Sequence, residues 1–210
     1  ATGAIERPLV FDGNDTPGVM LASAVSTYIH RYAVAPGRSG VVFTNNDSGY
    51  QAAIDMSNAG MEVRAVVDVR MTAGADVAKT VADMGIPVYL GYVVPSVQSG
   101  LQGLKRIEMA KLSADGRAIL SHKGLVDCQV LAVSGGWSPV VHLHSQSGGR
   151  PCYRESQASL GGQYEPHLHI ETPPDHVLRT RDIRFAASES LVLRSSARPQ
   201  PHRVHQSAHR

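Results

Sequence analysis

The sequence predicts an α/β fold in which helices cover a largely parallel sheet, and three observations carry this. Short apolar runs recur at residues 40–43, 63–69, 86–92 and 126–133, the near-continuous kind that strands buried on both faces require. Segments with helical spacing lie between the first three, so strand, turn, helix and strand repeat within about 30 residues, the length of a crossover unit. Aromatic residues make up only 5% of a chain that is 42% hydrophobic, which leaves Val, Ala, Leu and Ile to fill the core.

Taken in order, residues 1–11 read as a strand end (Ala1-Thr2-Gly3-Ala4), a turn at Pro8, and the apolar Leu9-Val10-Phe11. Asp12, Gly13, Asn14 and Pro17 predict a loop over 12–17. Val19, Met20, Ala24, Val25, Tyr28 and Ile29 fall at helical spacing and predict a helix over 19–32, with Pro36-Gly37 ending the unit. The strand at 40–43 leads through a polar turn, 44–49, into a helix over 50–59. That helix turns Ala52, Ala53 and Met56 inward and stops at Gly60. The strand at 63–69 carries Asp68 near its end, a helix over 76–84 closes at Gly85, and the strand at 86–92 follows. Residues 104–112 and 117–120 alternate around Asp115-Gly116 and predict a hairpin. The last buried strand, 126–133, runs into Ser134-Gly135-Gly136-Trp137-Ser138-Pro139.

After Arg150 the character changes. All four lysines (Lys79, Lys105, Lys111 and Lys123) precede that point, whereas six of the ten histidines follow it. Pro, Ser, Gln and Arg recur without apolar periodicity except at Leu191-Val192-Leu193, so residues 150–210 are expected to be an irregular or disordered tail. A shifted reading frame or a truncated gene would produce such an abrupt change.

The 44–49 turn is the most informative segment. A dinucleotide-binding turn needs glycine at its first, third and sixth positions, for the tight turn, for approach of the pyrophosphate and for close packing of helix on strand. Aligned on its last glycine, this turn has Thr44, Asn46 and Gly49 there. Gly49 keeps the packing role. Asn46 puts a side chain where a pyrophosphate would approach, and Asp47 puts a carboxylate at a helix N-terminus, where it can satisfy the helix end in place of a ligand. Asp68 lies 24 residues after Thr44, where an acid would hold a ribose, and Arg70 follows it. The turn therefore reads either as a working nucleotide site or as a retained fold whose phosphate cradle is lost.

Other features exclude more than they assert. A net charge of +2 argues for neither nucleic acid nor a membrane surface. No apolar run approaches the roughly 18 residues that span a bilayer. The N-terminus lacks the pattern of a signal peptide, and without an initiator Met the chain is expected to begin inside a longer protein. Cys128 and Cys152 stand in unlike contexts and read as free thiols of a reducing, cytoplasmic compartment. His142-Leu143-His144 and His167-Leu168-His169 would each put two rings on one face of a strand, but no Cys or acidic partner recurs to complete a metal set. Trp137 reads as a packing or interface residue, and no Ser-His-Asp or Cys-His pattern supports a hydrolase.

Three segments together resemble one family. They are Ala1-Thr2-Gly3-Ala4-Ile5-Glu6-Arg7-Pro8, Val41-Val42-Phe43-Thr44-Asn45-Asn46-Asp47-Ser48-Gly49, and Ala132-Val133-Ser134-Gly135-Gly136-Trp137-Ser138-Pro139-Val140-Val141-His142-Leu143-His144-Ser145-Gln146. They look like the α subunit of heterotetrameric sarcosine oxidase, over about residues 1–149. The first segment is shared by many two-dinucleotide flavoproteins of the disulfide-reductase type. The resemblance implies a Rossmann-like, FAD/NAD-type three-layer domain with an added small β-hairpin and an irregular C-terminal tail. It further implies a complex with β, γ and δ subunits that demethylates sarcosine oxidatively to glycine, with hydrogen peroxide and methylene-tetrahydrofolate as further products. FAD would sit in the β subunit, FMN between α and β, and NAD in α, with a folate-binding domain later in α.

On this basis residues 1–35 are expected to be a return strand and helix from a first nucleotide-binding half, and residues 36–149 a NAD-type domain with its own return strand. The sequence is accordingly expected to lack the first half, with its glycine-rich loop, and the folate domain. Thr2 and Gly3, Asn45 and Gly49, Asp68, and Gly135 and Gly136 are the candidate cofactor-binding residues, and none is expected to be catalytic. The chain is expected to be inactive alone. Two further readings stay open: an interaction module with a degenerate dinucleotide fold, and the α subunit of a related amine, proline or opine dehydrogenase, against which the Ser-Gly-Gly-Trp stretch argues.

Overall fold

The computed structural model describes residues 3–154 and 159–162. Along the chain these form β1 (Ala4–Glu6), β2 (Val19–Leu21), α1 (Ala22–Tyr32), β3 (Ser39–Thr44), α2 (Ser48–Asn58), β4 (Glu62–Asp68), α3 (Ala75–Asp83) and β5 (Val88–Leu90). There follow β6 (Tyr92–Val93), β7 (Val97–Gly100), β8 (Gly103–Leu112), β9 (Ile119–Asp127), β10 (Val130–Ser134), β11 (Trp137–Pro139), α4 (His142–Gln146), β12 (Pro151–Arg154) and β13 (Ser159–Gly162).

The centre is a parallel sheet in the order β2-β10-β3-β4-β5. Because side chains alternate across a strand, each central strand feeds two cores. Val41 and Phe43, Ala65 and Val67, and Leu131 and Val133 point to one face, where they meet Ile107, Met109 and Leu112 of β8. Val42, Val66, Val130 and Ala132 point to the other, where they meet Ala22 and Val25 of α1, Ala52, Ala53 and Met56 of α2, and Val81 of α3. The result is three layers: helices, parallel sheet, antiparallel sheet. This is the architecture expected, and it explains the doubly apolar strands.

Five elements differ from expectation. Residues 19–21 are not the start of a helix. They pair in register with residues 131–133 as an edge strand, because β10 would otherwise leave a row of backbone groups unmatched. Ala22 and Val25 of α1 share one core cluster with α2 and β10. The single strand expected at 86–92 is two, in different sheets. Gly91 (φ +70°) breaks it, and a Cβ there would meet Met71 Sδ at 2.7 Å. The expected hairpin is the middle of a four-stranded antiparallel sheet, in which β8 pairs with β6, β7 and β9. The strand expected at 126–133 divides around Cys128-Gln129, with its first residues belonging to β9. Within the expected tail, β12 pairs antiparallel with β13; the rest of that expectation lies outside the described residues.

Among the described residues no helix is long and apolar enough to cross a membrane. His142 and His144 lie on the short helix α4 rather than on a strand, and His167 and His169 lie outside the described residues.

Candidate functional site at the C-terminal edge of the parallel sheet

Strands β3, β4 and β10 end side by side at Thr44, Asp68 and Ser134, all fully buried. This is the edge at which open parallel sheets bind ligands.

The turn after β3 is built by its own side chains. Thr44 Oγ1 donates to Asn46 O at 2.9 Å and accepts from Asn46 N at 3.1 Å. The Asn46 carboxamide donates to Asn45 Oδ1 (2.9 Å) and, across to the next strand, to Ser134 O (3.2 Å) and Ser134 Oγ (3.0 Å). Its Oδ1 accepts from Ser48 N at 3.0 Å and from the Ser48 hydroxyl. Asn46 thus does what the sequence assigned to Asp47, accepting an N–H from the first turn of α2. Trp137 Nε1 completes the cluster by donating to Ser48 Oγ at 2.9 Å. Gly49 is obligatory in this arrangement, because a Cβ there would lie 2.4 Å from Thr44 Oγ1 and 2.6 Å from Thr44 Cβ.

Asp47 turns away from its own helix and makes no cap bond to it. Its Oδ1 accepts from Gly74 N, the N-cap of α3, at 3.2 Å and lies 2.7 Å from Arg70 Nη2. Arg70 in turn grips Asp68, with Nε 3.0 and 3.1 Å from the two carboxylate oxygens and Nη2 2.7 Å from Oδ2. Arg70 N and the Tyr50 hydroxyl also donate to Asp68, at 2.9 and 2.8 Å. Burial pushes the Asp68 carboxyl up against the pull of Arg70. Burial also works against the Arg70 charge, but Asp68 and Asp47 more than compensate and raise it further. Tyr50 is held neutral by burial and by the neighbouring Asp68.

The turn after β10 is built by backbone instead. Gly135 N donates to Arg7 O (2.7 Å) and Arg7 N donates to Gly136 O (2.8 Å), continuing the antiparallel pairing of β1 with β11. A Cβ on Gly135 would lie 2.8 Å from the carbonyl oxygens of both Arg7 and Pro8, and Gly136 takes φ +87°. Burial lowers the pKa of Arg7, with Tyr153 acting in the opposite sense. Glu6 reaches from β1 to accept Ser23 N at 2.8 Å, so it closes the N-terminus of α1.

Of the residues singled out in the sequence, Asn45, Gly49, Asp68, Gly135 and Gly136 gather at this edge. Asn45 N donates to Ser134 O (3.2 Å), and Val69 N donates to Thr44 O (3.1 Å), tying the three strand ends together. Gly3 stands apart, its carbonyl accepting Val140 N at 3.0 Å beyond the β1–β11 pair. Thr2 lies outside the described residues. Sequence reasoning missed Ser134, Ser48, Tyr50 and Glu6. Tyr50 alone left a signal: a tyrosine among alanines on the inner face of a helix needs a buried partner for its hydroxyl.

No family model matches the chain. Among solved structures, it is similar to an FAD-dependent pyridine nucleotide-disulphide oxidoreductase from Desulfovibrio vulgaris (TM-score 0.55, 16% identity, 74% of this chain and 39% of that one). It is likewise similar to the thioredoxin reductase of T. acidophilum (TM-score 0.55, 15% identity, 91% and 62%). These share the fold. In sequence, the chain is 40% identical over 163 residues to the sarcosine oxidase α subunit of Rhizobium meliloti (strain 1021), covering 76% of this chain. It is 44% identical over 151 residues to that of Corynebacterium sp. (strain P-1), covering 71%. In each case the chain spans 15% of the relative's length. Over about three quarters of its length this chain is therefore a partial relative of the sarcosine oxidase α subunits, an oxidoreductase family, built on an FAD/NAD-type dinucleotide fold.

Proposed function

We propose that this segment is the NAD-binding half of the α subunit of a sarcosine oxidase-type flavoenzyme, holding a dinucleotide and scaffolding the flavin centre without performing the oxidation. The observation that carries this is the juxtaposition of the Gly49-packed turn with Asp68 at one edge of a parallel sheet, where a pyrophosphate and a ribose would lie. Asn45 and Gly49 would face the phosphates and Asp68 the ribose. Gly135 and Gly136 would line the side toward a first nucleotide half. In the intact complex, sarcosine would be oxidatively demethylated to glycine, with hydrogen peroxide and methylene-tetrahydrofolate formed. FAD would sit in the β subunit, FMN between α and β, and γ and δ would complete the assembly. Residues 1–35 would adjoin the first half.

Calorimetric titration of NAD into the full chain tests the reading, with saturable 1:1 binding as the expected result and no heat of binding as the contrary one. Sarcosine with the chain and added flavins, without a β subunit, should yield no hydrogen peroxide.

A second reading has its own support. The N–H of Ser48 and the hydroxyl of Thr44 are already satisfied within the turn. A scaffold that packs against partner subunits without nucleotide would need no more, and absence of NAD binding favours it.

A further inference from the structure

We propose that Asp47, a residue of the turn rather than of the strand end, sets which dinucleotide this half accepts, by holding Arg70 away from a ribose 2′-phosphate. The inference rests on the nucleotide-binding reading above and adds a specificity-determining residue to it. In dinucleotide units an acid at the end of the second strand receives the ribose 2′-hydroxyl, whereas a nearby arginine accommodates a 2′-phosphate. Both residue types stand here, Asp68 and Arg70, two positions apart, so composition alone permits either cofactor.

Geometry separates them. Arg70 Nη2 lies 2.7 Å from Asp47 Oδ1 and 2.7 Å from Asp68 Oδ2, and its side chain is only 8% exposed. Two carboxylates on one guanidinium leave the cluster with a net negative charge. At Nη2 a 2′-phosphate would have to compete with both carboxylates. Asp68 is fully buried and takes bonds from Arg70, from its backbone N–H and from Tyr50, so it cannot yield. Asp47 reaches in from the turn, its side chain 23% exposed, and is the carboxylate that can leave. While it stays it also repels a phosphate, because like charges at this range disfavour each other. A neutral ribose hydroxyl meets no such repulsion. Nor is the role visible in sequence, since Asp47 and Arg70 are 23 residues apart and meet only because β3 and β4 are neighbours.

The experiment titrates NAD and NADP separately into the full chain and its variants by calorimetry. The unsubstituted chain should prefer NAD. Asp47→Ala, and Asp47→Asn as the form that keeps the side chain's shape, should shift the NADP-to-NAD affinity ratio toward NADP by about tenfold or more, the scale of one new charge-assisted bond. Adding Arg70→Ala to Asp47→Ala should remove that shift. A ratio unmoved by both Asp47 variants, in a chain that binds NAD, overturns this inference while leaving the nucleotide reading intact. So does a shift that survives loss of Arg70. A chain that binds neither dinucleotide overturns both.

Discussion

Two turns leave neighbouring parallel strands at one edge of this sheet, and they are held by opposite means. After β3, side chains do the holding: Thr44, Asn46 and Ser48 bond to one another and across to Ser134, and Asp47 goes on to α3 and Arg70. After β10, the backbone does it: Gly135 and Gly136 bond Arg7 directly and leave no room for a Cβ at the first position. A turn closed by side chains can be retuned one residue at a time. A turn closed by backbone tolerates only glycine, and it ties β1 to the sheet whatever the neighbouring side chains are. The first turn is therefore open to tuning by substitution, and the second is an anchor.

The largest expected effect tests how much the side-chain turn depends on the acid beneath it. Asp68→Ala leaves Arg70 buried beside a single carboxylate and Tyr50 without an acceptor. It should destabilise the fold by about 3–5 kcal/mol, the usual cost of breaking a buried pair. Urea unfolding followed by circular dichroism measures it, and a loss below about 1 kcal/mol would show that the acid is not structural.

Next come the glycines, one from each turn. Gly49→Ala and Gly135→Ala both force a methyl into contacts shorter than 3.0 Å, against the Thr44 side chain and against two backbone carbonyls respectively. Each should cost about 1–3 kcal/mol, as overpacking does. Gly135→Ala should also loosen β1, read as faster amide exchange at Glu6 and Arg7, whereas Gly49→Ala should not. Equal exchange in the two variants would erase the distinction drawn between the turns.

Asn46→Ala removes the bridge from one turn to the other strand end. The expected cost is about 1–2 kcal/mol for the bonds to Ser134 and Ser48, measured by the same unfolding curves. No loss would mean that backbone alone holds the first turn as well.

The smallest effect is a control far from both turns, in the clamp between α1 and α2. Asp55, buried, accepts from Ser26 Oγ (2.6 Å) and Gln51 Nε2 (2.9 Å) and lies 3.1 Å from His30 Nε2. Burial pushes its carboxyl up, but the Ser26, Gln51 and His30 bonds bring it below the ordinary value of 3.8. A folded pKa below the unfolded one means the contribution is fully present above the unfolded value and is lost as pH falls through the folded one. Asp55→Asn should therefore flatten the loss of stability as pH falls through and below the ordinary carboxylate range, with neither turn affected. An unchanged acid limb would remove Asp55 from the account.

What the sequence determined by itself was the layer plan. The runs at Val41-Val42-Phe43, at Ala65-Val66-Val67 and at Leu131-Ala132-Val133 are apolar at every position, which only a strand covered on both faces can use, and the helical spacings between them supply one cover. Gly49 was legible too, since a glycine opening a helix after a strand has few reasons other than close packing. Tertiary structure decided the rest, for reasons no local pattern carries. Val19-Met20-Leu21 has helical spacing, yet it forms a strand because β10 offers it a ladder more than a hundred residues away in sequence. Asp47 stands where local rules place a cap for α2, yet Arg70 and the N-terminus of α3, brought alongside by β3–β4 pairing, compete for it and win. A short-range preference of about 1 kcal/mol yields to a buried charge that must be met.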